Sequence, residues 1–182
     1  MGGKIVALVG QIASGKTTLA QFMEAHGFER IVTYTTRPKR EGEKNGISYH
    51  FLSDEEFAAK AESGYFAETT SYSAKFGNVS YGTSRESLET ADSVNKVIVL
   101  NPQGVIALKD AGNDIFVVYL DMPQEVLMRR ALKRGDTPAE IGRRIADDTR
   151  LFRAISGEYV DLTVSNPELL PNQIMEWIQS VI

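Results

Sequence analysis

The sequence contains no cysteine. Disulfides, thiolate catalysis and cysteine-ligated zinc are thereby excluded. Histidine is scarce, with two residues in the whole chain, and neither has companions that would complete a metal site. His26 closes a predicted helix ahead of Gly27, where the helix dipole favours it. His50 alternates with Tyr49 and Phe51 on a predicted strand. A membrane-length apolar run is missing: Ile5 to Val9 is far too short to span a bilayer or form a signal-peptide core, and Gly10 ends it. The expectation is a cytoplasmic protein with no membrane partner. Excess positive charge is lacking too. The formal net charge is −4 and the pI about 5.3, so a nucleic-acid polymer is not an expected partner. A small anion remains possible if cationic side chains are focused in one place.

What is present is the balance of a globular protein. The 182 residues are 42% apolar and 24% charged, enough for one domain with its own core. Short apolar runs alternate with helical segments. Lys4–Val9, Lys96–Leu100 and Asp114–Leu120 read as buried strands. Arg30–Tyr34, Tyr65–Tyr72, Asn78–Tyr81 and Leu162–Val164 read as further strands. Helices are predicted over Lys16–His26, from the Ser53-to-Glu56 capping box to about Ser63, after Pro102 and Pro123, from the Thr137-to-Glu140 capping box, and from about Glu168 onward. Leu170, Ile174, Trp177, Ile178 and Val181 keep helical spacing and form a packing stripe. Buried strands alternating with helices imply an α/β fold: a three-layer sandwich whose central parallel sheet is covered on both faces. Ligands in such sheets sit at the carboxyl ends of the strands.

At the end of the first strand, Gly10-Gln11-Ile12-Ala13-Ser14-Gly15-Lys16-Thr17 fits the phosphate-binding pattern G-x-x-x-x-G-K-[ST]. Gly10 and Gly15 permit backbone angles and close approach that a Cβ would block. Successive N–H groups and a helix N-terminus then face one concavity. Lys16 is a flexible point charge for β- and γ-phosphates, and the Thr17 hydroxyl is a hard ligand suited to Mg²⁺. The candidate ATP-binding residues are Gly10, Ala13, Ser14, Gly15, Lys16, Thr17 and Thr18. The base-reading Asn-Lys-x-Asp motif of GTPases is not found, because Asn95-Lys96 continues as Val97-Ile98.

The stretch from Thr35 to Phe51 is the most informative. Thr35, Thr36, Arg37, Arg40, Glu43, Gly46, Tyr49 and Phe51 fall at the fixed gaps of a known signature, and with the loop upstream the chain resembles the guanylate kinases, P-loop nucleoside-monophosphate kinases, over nearly its whole length. The residues support the resemblance on their own chemistry: Arg37 and Arg40 are planar forks able to hold a phosphate bidentately, and Tyr49 offers a phenol O–H. The bland alternative is a solvated loop face shared with Glu41 and Glu43. The resemblance implies transfer of the γ-phosphoryl group of Mg·ATP to GMP, and to dGMP. It places the GMP phosphate against Arg37, Arg40, Tyr49 and Tyr81. Glu68 matches the base-binding glutamate, whose carboxylate accepts the N1–H and N2 amino donors of guanine. Thr33 matches a serine that supports it, and Thr83 matches a third base contact. Thr83 also opens a possible capping box with Glu86.

Residues 129–153 hold eight of the chain's twenty Lys and Arg residues: Arg129, Arg130, Lys133, Arg134, Arg143, Arg144, Arg150 and Arg153. A solvated helix face would explain them; so would a lid that brings guanidinium groups onto a transferring phosphate. The resemblance favours Arg130, Arg134 and Arg144: Arg130 and Arg144 join Lys16 and Arg37 as catalytic candidates, and Arg134 joins the ATP-binding candidates. The implied division is a core of 1–33, 84–128 and 156–182, a GMP-binding subdomain of 34–83 and a lid of 129–155. Three positions depart from the family pattern. Val99 and Asn101 stand where it usually carries acids, leaving Asn101 as a neutral candidate beside the acceptor sugar, and Arg150 replaces a glutamate. A kinase of another phosphorylated acceptor such as ribose bisphosphate, or a non-catalytic binding module, remains an alternative.

Overall fold

The computed structural model describes residues 3–74, 77–89, 94–152, 155 and 157–182. The first strand, β1 (Ile5–Gly10), is buried along all six residues. Its apolar composition is explained by its position, since it has parallel neighbours on both sides and helices on both faces. β7 (Lys96–Val99) and β8 (Ile115–Leu120) flank it, and β2 (Glu29–Arg30) and β9 (Leu162–Val164) form the edges, giving the parallel order β2-β7-β1-β8-β9.

Strand alternation sorts β1 into two cores. Val6 and Leu8 join the core formed with α1 (Lys16–Ala25), α5 (Gln124–Lys133), α6 (Pro138–Phe152) and α7 (Pro171–Gln179). Ile5, Ala7 and Val9 point the other way, into a second core with α4 (Pro102–Asp110) and Ile155. Each fully buried aliphatic side chain contributes about 1.5–3 kcal/mol. The three-layer α/β sandwich expected from the sequence is therefore present.

A second, mixed sheet has the order β4-β3-β6-β5. It comprises β3 (Tyr34–Thr35), β4 (His50–Phe51), β5 (Phe66–Ala74) and β6 (Gly77–Ser84). One expectation is corrected here. Arg30–Tyr34 is not a single strand: Glu29–Arg30 pairs with β7 in the first sheet, and Tyr34–Thr35 pairs with β4 and β6 in the second. Ile31 N still donates to Val97 O at 2.9 Å, whereas Thr33 O accepts from His50 N at 2.9 Å. The chain thus changes sheets within three residues, and an apolar alternation cannot reveal a change of partner. The closing helix also starts later than expected, at Pro171, with Pro in its first turn.

The caps follow the predicted chemistry at two of three sites. In front of α2 (Asp54–Glu62), Ser53 Oγ accepts from Glu56 N at 3.1 Å while Glu56 returns the bond to Ser53 N at 2.8 Å. Thr137 and Glu140 make the corresponding pair ahead of α6. At α3 (Arg85–Leu88), however, Ser84 rather than Thr83 is the cap, accepting from Ser87 N. Thr83 is engaged elsewhere.

Candidate active site

The loop between β1 and α1 closes on itself as its glycines require. A Cβ on Gly10 would lie 2.5 Å from Ser14 Oγ and 2.8 Å from Leu120 O. Gly15 has φ +105° and Ala13 has φ +58°; the second is a costly angle for a residue with a side chain, and such strain gathers at functional loops. Lys16 Nζ donates to Gly10 O at 2.6 Å and Gln11 O at 2.9 Å. Burial lowers its pKa to about 8; nearby Asp148 opposes the shift, and Arg144 and Arg134 reinforce it. Ser14 is buried with no partner for its hydroxyl among the described residues, and Thr17 and Thr18 are exposed on the cleft.

The β5–β6 hairpin builds the facing wall. Its antiparallel register sets Glu68 opposite Thr83, Thr70 opposite Tyr81, and Tyr72 opposite Val79. Because side chains alternate along a strand, these six share one face. At the inner end Thr83 is fully buried and its Oγ1 donates to Glu68 Oε1 at 2.7 Å. It holds the glutamate from behind and does not itself line the cleft. Glu68 Oε2 has no partner among the described residues. Burial raises the Glu68 pKa to about 7, against the Thr83 hydrogen bond. Thr33 is buried nearby at the cleft wall. Asn101 caps α4 through Gly104 N at 2.7 Å and spends its amide on Thr70 Oγ1 at 2.8 Å, so the neutral residue bridges the two sheets.

Arg37 is not on a solvated face. Its side chain is 11% exposed, with Nη2 on Glu43 Oε1 at 2.7 Å and Nη1 on Pro38 O at 2.7 Å. It also lies 5.3 Å from the Tyr49 ring centre and 5.7 Å from that of Phe51. Burial would discharge it, but Glu43 more than compensates and holds its pKa above the ordinary arginine value. Glu43 Oε2 takes the Arg40 backbone N–H at 2.8 Å. Burial and the charges of Arg37 and Arg144 push Arg40 the other way, downward. A guanidinium made costlier to keep charged is a receptor for an anion.

From the other side come α5 and α6. Arg130 reaches Ser14 O at 3.3 Å and Pro167 O at 3.4 Å. Arg134 is paired with Asp136. Arg144 lines the cleft and forms no ion pair among the described residues. Arg150 faces the cleft as well, while Arg153 lies outside the described residues. Asp148 Oδ2 accepts from Ile12 N at 2.7 Å, and Gln11 Nε2 donates to Thr149 Oγ1 at 3.2 Å. The arginine-rich helix is therefore fastened to the phosphate loop.

These surfaces enclose one cleft of about 1600 Å³. Every sequence-derived site residue lines it except Thr83. Ten basic and eight acidic residues line it in a chain of net charge −4, which is the local focusing of positive charge that a small anion needs. Sequence reasoning missed Thr70, Tyr72 and Asp148. Counting in twos from Glu68 would have found the first two; nothing short of the fold would have found the third.

Comparison with known proteins agrees with this geometry. The guanylate kinase family pattern matches residues 2–182. A guanylate kinase of Symbiobacterium thermophilum is 32% identical over 173 residues, 92% of this chain and 79% of that protein. One from Bdellovibrio bacteriovorus is 37% identical over 130 residues, 69% of this chain and 68% of that protein. The crystal structure of guanylate kinase from Anaplasma phagocytophilum shares the fold, with TM-score 0.72 at 23% identity, covering 98% of this chain and 86% of that one. With phosphate loop, buried glutamate and arginine pair opening on one cleft, this chain belongs to the guanylate kinase family.

Proposed function

We propose that the chain transfers the γ-phosphoryl group of ATP to GMP, and to dGMP, by in-line displacement within this cleft. The observation that carries the acceptor is Glu68: a buried carboxylate with one oxygen held by Thr83 and the other free. Guanine presents N1–H and N2–H side by side to such an oxygen pair. Adenine has no N1–H, so it would leave the carboxylate unsatisfied, a cost of a few kcal/mol. Arg37, Arg40, Tyr49 and Tyr81 hold the acceptor phosphate, and the backbone of residues 13–18 with Lys16 holds the donor. A GMP phosphate oxygen is already ionised, so it attacks without a general base; the new P–O bond forms as the bond to ADP breaks.

Arg130, Arg134 and Arg144 serve the charge on the transferring group. Arg144 is the best placed, because it lines the cleft and forms no ion pair among the described residues, with the Asp148 carboxylate only within electrostatic reach. Residues 129–155 act as the lid and 34–83 as the acceptor subdomain. Thr17 fits Mg²⁺ as a hard oxygen at the loop. Among the described residues no group of three or more His, Asp or Glu could hold a metal alone, so the nucleotide phosphates and water would complete its shell, where it would neutralise phosphate charge. No helix of the described residues is long and apolar enough to cross a membrane.

The test is coupled ADP release with GMP, dGMP, AMP, UMP and ribose bisphosphate as acceptors. Turnover with GMP and dGMP and at least a hundredfold less with AMP is expected, about 3 kcal/mol. Turnover with AMP or ribose bisphosphate but none with GMP would overturn the acceptor assignment.

A further inference from the structure

Tyr72 carries a chemistry that the roles above do not use. It lies two residues beyond Thr70 on the cleft face of β5, diagonal to Tyr81 on β6, a separation that aromatic side chains bridge. The two rings are stacked, with centroids 5.7 Å apart and planes within 10°. The Tyr72 O–H donates to Tyr81 Oη at 3.3 Å. A phenol oxygen carries one proton of its own. With the Tyr81 oxygen turned toward the Tyr72 donor, the Tyr81 O–H has to point elsewhere, and among the described residues it has no acceptor. The direction open to it is the cleft, where Tyr49 faces the same space and the Arg37 guanidinium bears as a donor on the Tyr81 oxygen: the Tyr49 ring is 5.9 Å from the Tyr81 ring and 5.3 Å from the Arg37 guanidinium.

We infer that Tyr72 is a positioning residue for the acceptor phosphate: its hydroxyl turns the Tyr81 O–H outward, so that Tyr81 meets the incoming anion as a preset donor. The inference rests on the reading of Arg37, Arg40, Tyr49 and Tyr81 as the phosphate-holding set. Burial, and then the proximity of Tyr81, raise the Tyr72 phenol above its ordinary range, so it remains a donor at all working pH values. Arg144 lies within electrostatic reach of the same hydroxyl.

The experiment compares Tyr72→Phe, Tyr81→Phe and the double variant. Steady-state KM is measured for GMP and for ATP, and guanosine, which lacks the phosphate, is measured as a competitive inhibitor. Phe keeps the stacked ring and removes only the hydroxyl. A net hydrogen bond of ordinary strength corresponds to roughly a fivefold change. Tyr72→Phe should therefore raise KM for GMP about fivefold while leaving KM for ATP, inhibition by guanosine and the melting temperature unchanged. The double variant should match Tyr81→Phe alone, because Tyr72 acts through Tyr81. An unchanged KM for GMP in Tyr72→Phe, additive effects in the double variant, or an equal weakening of guanosine would each overturn the inference. If Tyr81→Phe itself leaves KM for GMP unchanged, the phosphate-holding set has been misassigned, and the role of Tyr72 falls with it.

Discussion

At the scale of single residues, the site is a set of charges placed where they are costly, so that a ligand relieves them. Glu68 is the clearest case. Its folded pKa of about 7 lies above the ordinary value of 4.5 because it is buried. Between those two values the folded state binds more protons than the unfolded state, so stability falls as pH rises from about 4.5 to about 7 and is flat above. In the proposed role Glu68 accepts from guanine only in its ionised form, so KM for GMP should fall as pH rises through 7. Glu68→Gln should flatten both profiles, seen in melting temperature against pH and in KM against pH; a Gln variant with the wild-type slopes would remove Glu68 from both roles. Arg37 shows the opposite arrangement, with its charge satisfied in advance by Glu43. Its hydrogen bonds fix the guanidinium on the Tyr49 and Phe51 rings before any phosphate arrives.

At the scale of elements, α6 is fastened at two ends by different forces. Ile141 and Ile145 are buried in the same core as Leu127, while the far end is held through Asp148 and Thr149 on the phosphate loop. The hydrophobic end is buried; the polar end rests on hydrogen bonds for which water can compete. Burial raises the Asp148 carboxyl above its ordinary range, the Ile12 N–H bond and Lys16 pulling the other way. A hydrogen bond to a charged group is worth about 1.5–3 kcal/mol. Asp148→Ala should therefore speed amide hydrogen exchange at Ile12 and along the second half of α6 by roughly ten- to a hundredfold in the nucleotide-free protein, with the first half unaffected. Unchanged exchange at Ile12 would show that the contact holds nothing. The β5–β6 hairpin makes the complementary point: one register sets Glu68, Thr70 and Tyr72 beside Thr83 and Tyr81, so a slip of β5 by one residue would turn Glu68, Thr70 and Tyr72 away from the cleft.

At the scale of the whole molecule, one parallel sheet buried on both faces carries the phosphate loop, and the second sheet carries the facing wall of the cleft. Leu127 on α5 is fully buried in the core beneath the loop and does not line the cleft. Leu127→Ala should cost about 2–5 kcal/mol, lowering the melting temperature by roughly 5–15 °C in a chain of this size, while KM for both nucleotides at low temperature stays close to wild type. A variant whose KM values shift severalfold without loss of stability would show that the core and the cleft are not separable in this way.

The sequence by itself determined the local chemistry: the phosphate loop from its glycine spacing, the capping boxes at Ser53 and Thr137, the buried strands from their unbroken apolar runs, and the arginine pair with Tyr49. These are legible because they depend on residues near one another along the chain. Tertiary structure decided what depends on partners distant in sequence. It split Arg30–Tyr34 between two sheets, gave Thr83 to Glu68 and the cap to Ser84, set Asn101 between Gly104 and Thr70, and brought Asp148 onto Ile12. Each of these polar groups has more than one possible partner, and only the packed chain, by burying one choice and excluding water from it, selects between them.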